Sequence, residues 1–270
     1  MSQPRAPRPT LRFVAYLGPR RLTLFASTFA VDRSHAPYKR PSASLLLACR
    51  NSLQVETADG TCVTSKVVLV APQVSRRRLA AVDSDLVLVD FPVRTPEYFA
   101  LEPVLGERPL LELGFERFAH LLPVIERGFA GALQGAEVKA LHRDLVQAIC
   151  GRAPQEHVMD PRVVKALQLI DELPFAQATL SAIAARLHLS ASRFGHLFKE
   201  QTGTSFSAYV RWVAVWRMVT QWKQGMPLTE VAHAVGFYDL AHADHAFIET
   251  FGINPSSAID PDNVTLVRYT

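Results

Sequence analysis

The sequence is poor in most of the features that mark an enzyme, a secreted protein or a membrane protein. Its three cysteines, Cys49, Cys62 and Cys150, are far apart and form no C-x-x-C, which excludes a disulfide framework and a cysteine zinc site. They are expected to be reduced core thiols. No apolar run approaches the roughly 18 residues that a membrane span needs. The basic, proline-rich start, MSQPRAPRPT, is followed by no apolar segment of signal-peptide length, so a cytoplasmic location without membrane contact is expected. G-x-S-x-G is absent, as is a glycine-rich phosphate loop ending in Lys-Ser or Lys-Thr, and histidines do not cluster with carboxylates. The chain therefore reads as a non-enzyme with no catalytic residue, metal or cofactor.

A strong basic surplus is also missing. The 29 Lys+Arg stand against 25 Asp+Glu, and the surplus is uneven. Residues 1–154 hold 20 basic and 14 acidic residues, and 155–270 hold 9 and 11. The second half thus carries a slight negative charge, which disfavours purely electrostatic binding of a phosphate backbone.

What is present is enough apolar material for two cores, 49% of 270 residues. After a flexible arm (1–10), the runs LTLFASTFAV, SLLLAC, LQVETA, CVTSKVVLVA and DLVLVDFPV alternate with turn signals, including Asp59-Gly60. This pattern predicts a β-sandwich or barrel of the cupin type over 11–108. His35 alone would have to ligate a metal there, so a metal enzyme is not expected, whereas a small-molecule pocket fits a barrel of this size. Arg76-Arg77-Arg78 is placed just past a strand end, either as a solvated loop or as a grip for an anion. Residues 109–151 turn helical, with stripes at Phe118, Leu121, Leu122, Ile125, Phe129 and at Val138, Leu141, Leu145, Val146, Ile149. Such a pair serves equally for packing on the barrel or for dimerisation. A linker is placed at 152–161.

The most informative stretch is Leu180 to Gly203. It reads as two short amphipathic helices around a tight turn, with Ser190 capping the second. The pattern recurs about 48 residues on: Leu180, Ile183, Ala184 and Leu187 match Leu228, Val231, Ala232 and Val235, while Phe198 matches Phe247 and Gly203 matches Gly252. A tandem repeat is far more specific than one copy. The two units are joined by an apolar segment, Ser205 to Gln224, expected as a rigid helix of about 30 Å. That length approaches one turn of DNA, so two helices could enter successive major-groove segments.

Residues 161–256 resemble the DNA-binding domain of the AraC/XylS family of bacterial transcription regulators, through IAARLHLSASRF, LFKEQTG with Tyr209, LTEVAHAVGF with Asp239, and FGINP. The resemblance implies an α+β two-domain chain. Its parts are a cupin-like N-terminal β-barrel with a helical pair, an all-α tandem helix-turn-helix domain at 162–259, and a tail at 260–270. It implies promoter DNA as partner, with RNA polymerase, a small-molecule effector and a second copy of the chain as further partners. The groove-facing positions it transfers are Ser192, Gly195, His196 and Lys199 in the first unit and Leu240, Ala241, Asp244 and His245 in the second. Relatives commonly carry arginine where this chain has His196 and His245, and the family's closing Pro-x-x-Tyr-Arg is absent after Pro255. The expected DNA contacts are Ser192, Arg193, His196, Lys199, Ala241 and His245, with Arg211 and Arg217 on phosphates and the helix ends at Ser190 and Asp239 offering backbone N–H groups. The weak second unit leaves an alternative: a family member that acts mainly through protein–protein contacts as a co-regulator.

Overall fold

Alternation of side chains along the strands sets the first layer. The computed structural model describes residues 13–270, so the expected arm lies outside the described residues. In β1 (Phe13–Gly18) and β2 (Arg21–Ala26), Val14, Tyr16, Thr23 and Phe25 take one face, and Phe13, Ala15, Leu17, Leu22 and Leu24 take the other. The expected barrel is built as two sheets. The smaller contains β3 (Phe29–Asp32), β5 (Leu53–Thr57), β6 (Cys62–Ser65) and β8 (Arg76–Ala81). The larger combines β1 and β2 with β4 (Ala43–Ala48), β7 (Val67–Val70), β9 (Leu86–Phe91), β10 (Leu110–Glu112) and β11 (Val264–Arg268). Two runs expected to be continuous, LTLFASTFAV and CVTSKVVLVA, are each broken so that their halves enter different sheets.

Three helices follow: α1 (Pro96–Leu105), within the stretch expected to be barrel, packs on α3 (Gly135–Cys150), while α2 (Leu122–Phe129) and α3 lie against the larger sheet. Phe118, Leu121 and Ile125, and Val138, Leu141, Leu145, Val146 and Ile149, are all buried inside the single chain. The Tyr16 hydroxyl donates to the Gly128 carbonyl at 3.3 Å. Most of the two apolar stripes is thus buried within the chain, while Leu122 and Phe129 stay half-buried.

The Arg76-Arg77-Arg78 run is corrected by the structure. It opens β8 instead of trailing a strand, and Arg76 is wholly buried. Its guanidinium lies over the Tyr38 ring and donates to Ser44 Oγ at 3.1 Å, beside an Arg40–Asp90 ion pair of 2.6 Å. A β-bulge explains the difference: the register shifts between Glu56 and Thr57, so Arg76, opposite Thr57, joins the inward face of Leu79 instead of the exposed face of Arg78. Among the cysteines, Cys62 is exposed on the smaller sheet and is no core thiol, whereas burial pushes the Cys49 thiol up to about 11.

The C-terminal helices are α4 (Pro161–Glu172), α5 (Leu180–Arg186), α6 (Ala191–Thr202), α7 (Phe206–Gln221), α8 (Leu228–Val235), α9 (Leu240–Phe251) and α10 (Pro255–Ala258). Aromatic rings run through their core, from Phe194, Phe198, Phe206 and Tyr209 to Trp212, Trp216 and Phe251. The connecting helix α7 is shorter than expected, 16 residues or about 24 Å. Trp222 leaves the helix with ψ 133°, and its indole N–H donates to the Met226 carbonyl at 3.1 Å. No helix among the described residues is long and apolar enough to cross a membrane.

The expected C-terminal tail also differs. Residues 264–268 form β11, which pairs in parallel with β1 and completes the edge of the larger sheet. Arg268 donates back to the Trp222 carbonyl at 2.9 Å. The last strand therefore ties the helical domain to the β-domain, a pairing between residues some 250 positions apart that local periodicity does not encode.

Candidate nucleic-acid interface

Each helix-turn-helix unit is posed by its caps. Ser190 Oγ accepts the Arg193 N–H at 3.3 Å and starts α6, and Asp239 Oδ1 accepts the His242 N–H at 2.7 Å and starts α9. Both side chains satisfy helix-end N–H groups that would otherwise need solvent. At the other end, α6 and α9 stop at Gly203 and Gly252, with φ of 68° and 77°. In both cases a tyrosine of the β-domain occupies the space of an absent side chain: a Cβ on Gly203 would lie 2.7 Å from the Tyr98 hydroxyl, and one on Gly252 would lie 2.8 Å from the Tyr38 ring. Left-handed φ and close approach together require glycine. Donors of the β-domain then satisfy the carbonyl ends: Tyr98 to Thr202 at 3.3 Å, Arg33 to Gly252 at 2.8 Å and Arg40 to Thr250 at 3.1 Å. Two cations at the negative end of α9 add a favourable dipole interaction. Both helices are therefore held by their C-terminal ends.

On α6, Ser192, Arg193, His196 and Lys199 are exposed along one face, while Phe194 and Phe198 fill the core opposite. Lys199 and Arg211 line one groove between the two units, together with Gly195, Ser207 and His242. His242 is held in this groove by the Phe175 and Phe237 rings beside it. The second unit is weaker. Ala241 and His245 are exposed, but Glu249 accepts from Arg211 at 3.0 Å and lies 3.1 Å from His245. Sequence reasoning passed over this carboxylate, although its i,i+4 spacing from His245 was a usable signal. Asp244 is half-buried with one oxygen unpartnered among the described residues, and burial raises its pKa.

Arg217 is placed elsewhere. Its guanidinium donates to the carbonyls of Ile170, Asp171 and Leu173 at 2.6–2.7 Å. It satisfies the C-terminal end of α4 and is committed there, so the expectation of a phosphate contact is corrected. An arginine pointing inward from a helix next to another helix end looks the same in sequence as one pointing to solvent.

Residues 183–259 match the profile of a helix-turn-helix domain family. The Arabinose operon regulatory protein of Escherichia coli is 33% identical over 107 residues, which cover 36% of this chain and 34% of that protein. The C-terminal domain is similar to that of the AraC/XylS family. The matched stretch spans about a third of the curated relative's length, so the relationship in sequence is confined to this AraC/XylS domain. Two crystal structures of ToxT from Vibrio cholerae share the fold more widely. Apo ToxT aligns with a TM-score of 0.58 at 10% identity, covering 88% of this chain and 96% of that one. ToxT bound to an unsaturated fatty acid aligns at 0.55 and 11% identity, covering 87% and 93%. The β-domain followed by an AraC/XylS domain is thus a fold of known type over nearly the whole chain.

Proposed function

We propose that the protein regulates transcription by binding promoter DNA sequence-specifically through its AraC/XylS domain, with the N-terminal domain serving effector sensing. The observation that carries this reading is the exposed face of α6. Ser192, Arg193, His196 and Lys199 stand there clear of the core, on a helix whose two ends are fixed by a cap and by the β-domain. Arg193 and Lys199 supply charge and hydrogen bonds toward phosphate and base edges. Ser190 and Asp239 bring helix N-termini toward the backbone. Arg211 joins Lys199 on the groove wall once Glu249 releases it. The α6 face also favours DNA over a purely protein-directed co-regulator, since Arg193 and Lys199 outnumber its one exposed carboxylate, Glu200. RNA polymerase and a second copy of the chain are the further partners of this reading.

The effector reading rests on an apolar pocket at the junction of the two domains. Phe13, Leu22 and Leu24 face Trp216, Trp222 and Phe251 across it. At about 90 Å³ it holds only a few carbon atoms, since a cavity of ~150 Å³ is needed for benzene. Admitting a larger apolar effector therefore pushes the AraC/XylS domain away from the sheet, which couples occupancy to the pose of α6 and α9. An apolar acid is the natural probe, as ToxT is described bound to an unsaturated fatty acid. Titration with such an acid is expected to change the tryptophan fluorescence of the full chain. No change would remove the effector reading.

The DNA reading is tested by a mobility-shift titration at several salt concentrations, using DNA beside the protein's own gene. The expected result is specific binding whose salt slope falls by about 1 in Lys199→Ala. A shallow slope without sequence preference would overturn it.

A further inference from the structure

A second hollow lies between the domains, bounded by the β1–β2 turn, the residues after β9, the outer face of α3 and the side of α7. It is polar where the first pocket is apolar, and it measures about 480 Å³, within the usual range of small-ligand sites. Arg20, Arg21, Arg94, Lys139 and Arg143 line it against one carboxylate, Glu97. Arg21 holds Glu97 through two bonds of 2.9 and 3.0 Å. Arg20 and Arg94 share a carboxylate supplied by the other domain, Asp171 of α4. Lys139 and Arg143, one turn apart on α3 and exposed, have no ion pair among the described residues. Two carboxylates therefore face five cations. Concentrating like charge in a concave wall is unfavourable unless an anion relieves it, and such a wall raises the local concentration of anions.

The backbone points the same way. Arg20 and Arg94 have φ of 58° and 73°, so two of the five non-glycine residues with positive φ among those described are arginines of this hollow. Arg20 follows Pro19 in the β1–β2 turn, where a positive φ ordinarily selects glycine or asparagine. An arginine there is under a strain that glycine avoids, and the turn sets its guanidinium in the wall. Tyr269, just after the last strand, and Trp212 of α7 complete the lining.

We propose that this hollow binds a small oxyanion carrying two or more negative charges. Lys139 and Arg143 hold it from α3, and Arg20 and Arg94 hold it from the β-domain turns. Asp171 occupies part of the same charge field from the helical domain, so the bound anion competes with Asp171 for the two arginines and weakens the clasp between the β1–β2 turn and α4. The site is distinct from the apolar pocket and does not depend on DNA reading.

The test is calorimetric titration of the full chain, without DNA and at constant ionic strength, with inorganic pyrophosphate and with citrate. Saturable binding of at least one probe is expected, and the stronger of the two tells a phosphate from a carboxylate ligand. Affinity should fall about tenfold in Lys139→Ala/Arg143→Ala, two exposed positions without folding partners, and rise in Asp171→Asn, where the competing charge is gone. No saturable heat from either probe up to about 1 mM, or equal affinity in the double variant and the wild type, would overturn the proposal.

Discussion

Asp90 carries more of this fold than its single charge suggests. Its carboxylate accepts from Arg40 and from Ser44, each at 2.6 Å, with the buried Arg76 guanidinium beside them. Arg76 itself leaves Nε and Nη1 unpartnered among the described residues, and burial lowers its pKa. Asp90→Asn leaves two buried guanidiniums without a counter-charge and is expected to destabilise the chain by about 3–5 kcal/mol, as read by denaturant unfolding. His142 is a second buried polar group, wholly enclosed. Arg21 donates to its Nδ1 at 3.4 Å, which leaves the proton on Nε2, 2.6 Å from Thr23 Oγ1. Burial, with Arg21 adding to it, pushes its pKa down to about 3 from 6.5. The unfolded chain then binds the extra proton between those values, so stability is full above about pH 6.5 and falls with decreasing pH. The slope is up to about 1.4 kcal/mol per pH unit. In His142→Gln that part of the pH dependence should disappear from unfolding curves measured between pH 4 and 7.

At the scale of elements, the helices announced themselves in the sequence more clearly than the strands. Both helix-turn-helix units were legible because their information is local: apolar spacing, a capping Ser190 or Asp239, and glycine at the far end. The sequence also showed that α9 lacks the arginines of its relatives. The division of the strands between two sheets, the burial of Arg76 and the capping role of Arg217 were not legible, because each depends on which distant element lies opposite. The glycines that end α6 and α9 combine both kinds of information. Their φ was readable from position, but the tyrosines seated against them were not. Gly252→Ala should therefore cost about 1 kcal/mol more than the conformational penalty alone. Gly60→Ala provides that reference, since Gly60 has a positive φ with nothing within 4 Å. Tyr38→Ala should remove the difference in a double-mutant cycle of thermal unfolding.

For the whole molecule, the C-terminal ends of α6 and α9 are anchored on the β-domain and the last strand completes the β-sheet. The proposed DNA reading uses the exposed face of α6 from Ser192 to Lys199, so it shares the helix with the domain junction. Any ligand that alters the domain junction thereby alters how α6 and α9 are presented together. Their contributions remain unequal, because α6 exposes Arg193 and Lys199 while α9 presents Ala241, a half-buried Asp244 and a His245 beside Glu249. The most direct measurement is the affinity of the full chain for its site with each base pair replaced in turn. The account predicts one sensitive half, where single replacements cost about 1–3 kcal/mol, and a second half, one helical turn away, that is nearly indifferent. Equal sensitivity in both halves, or none in either, would contradict it.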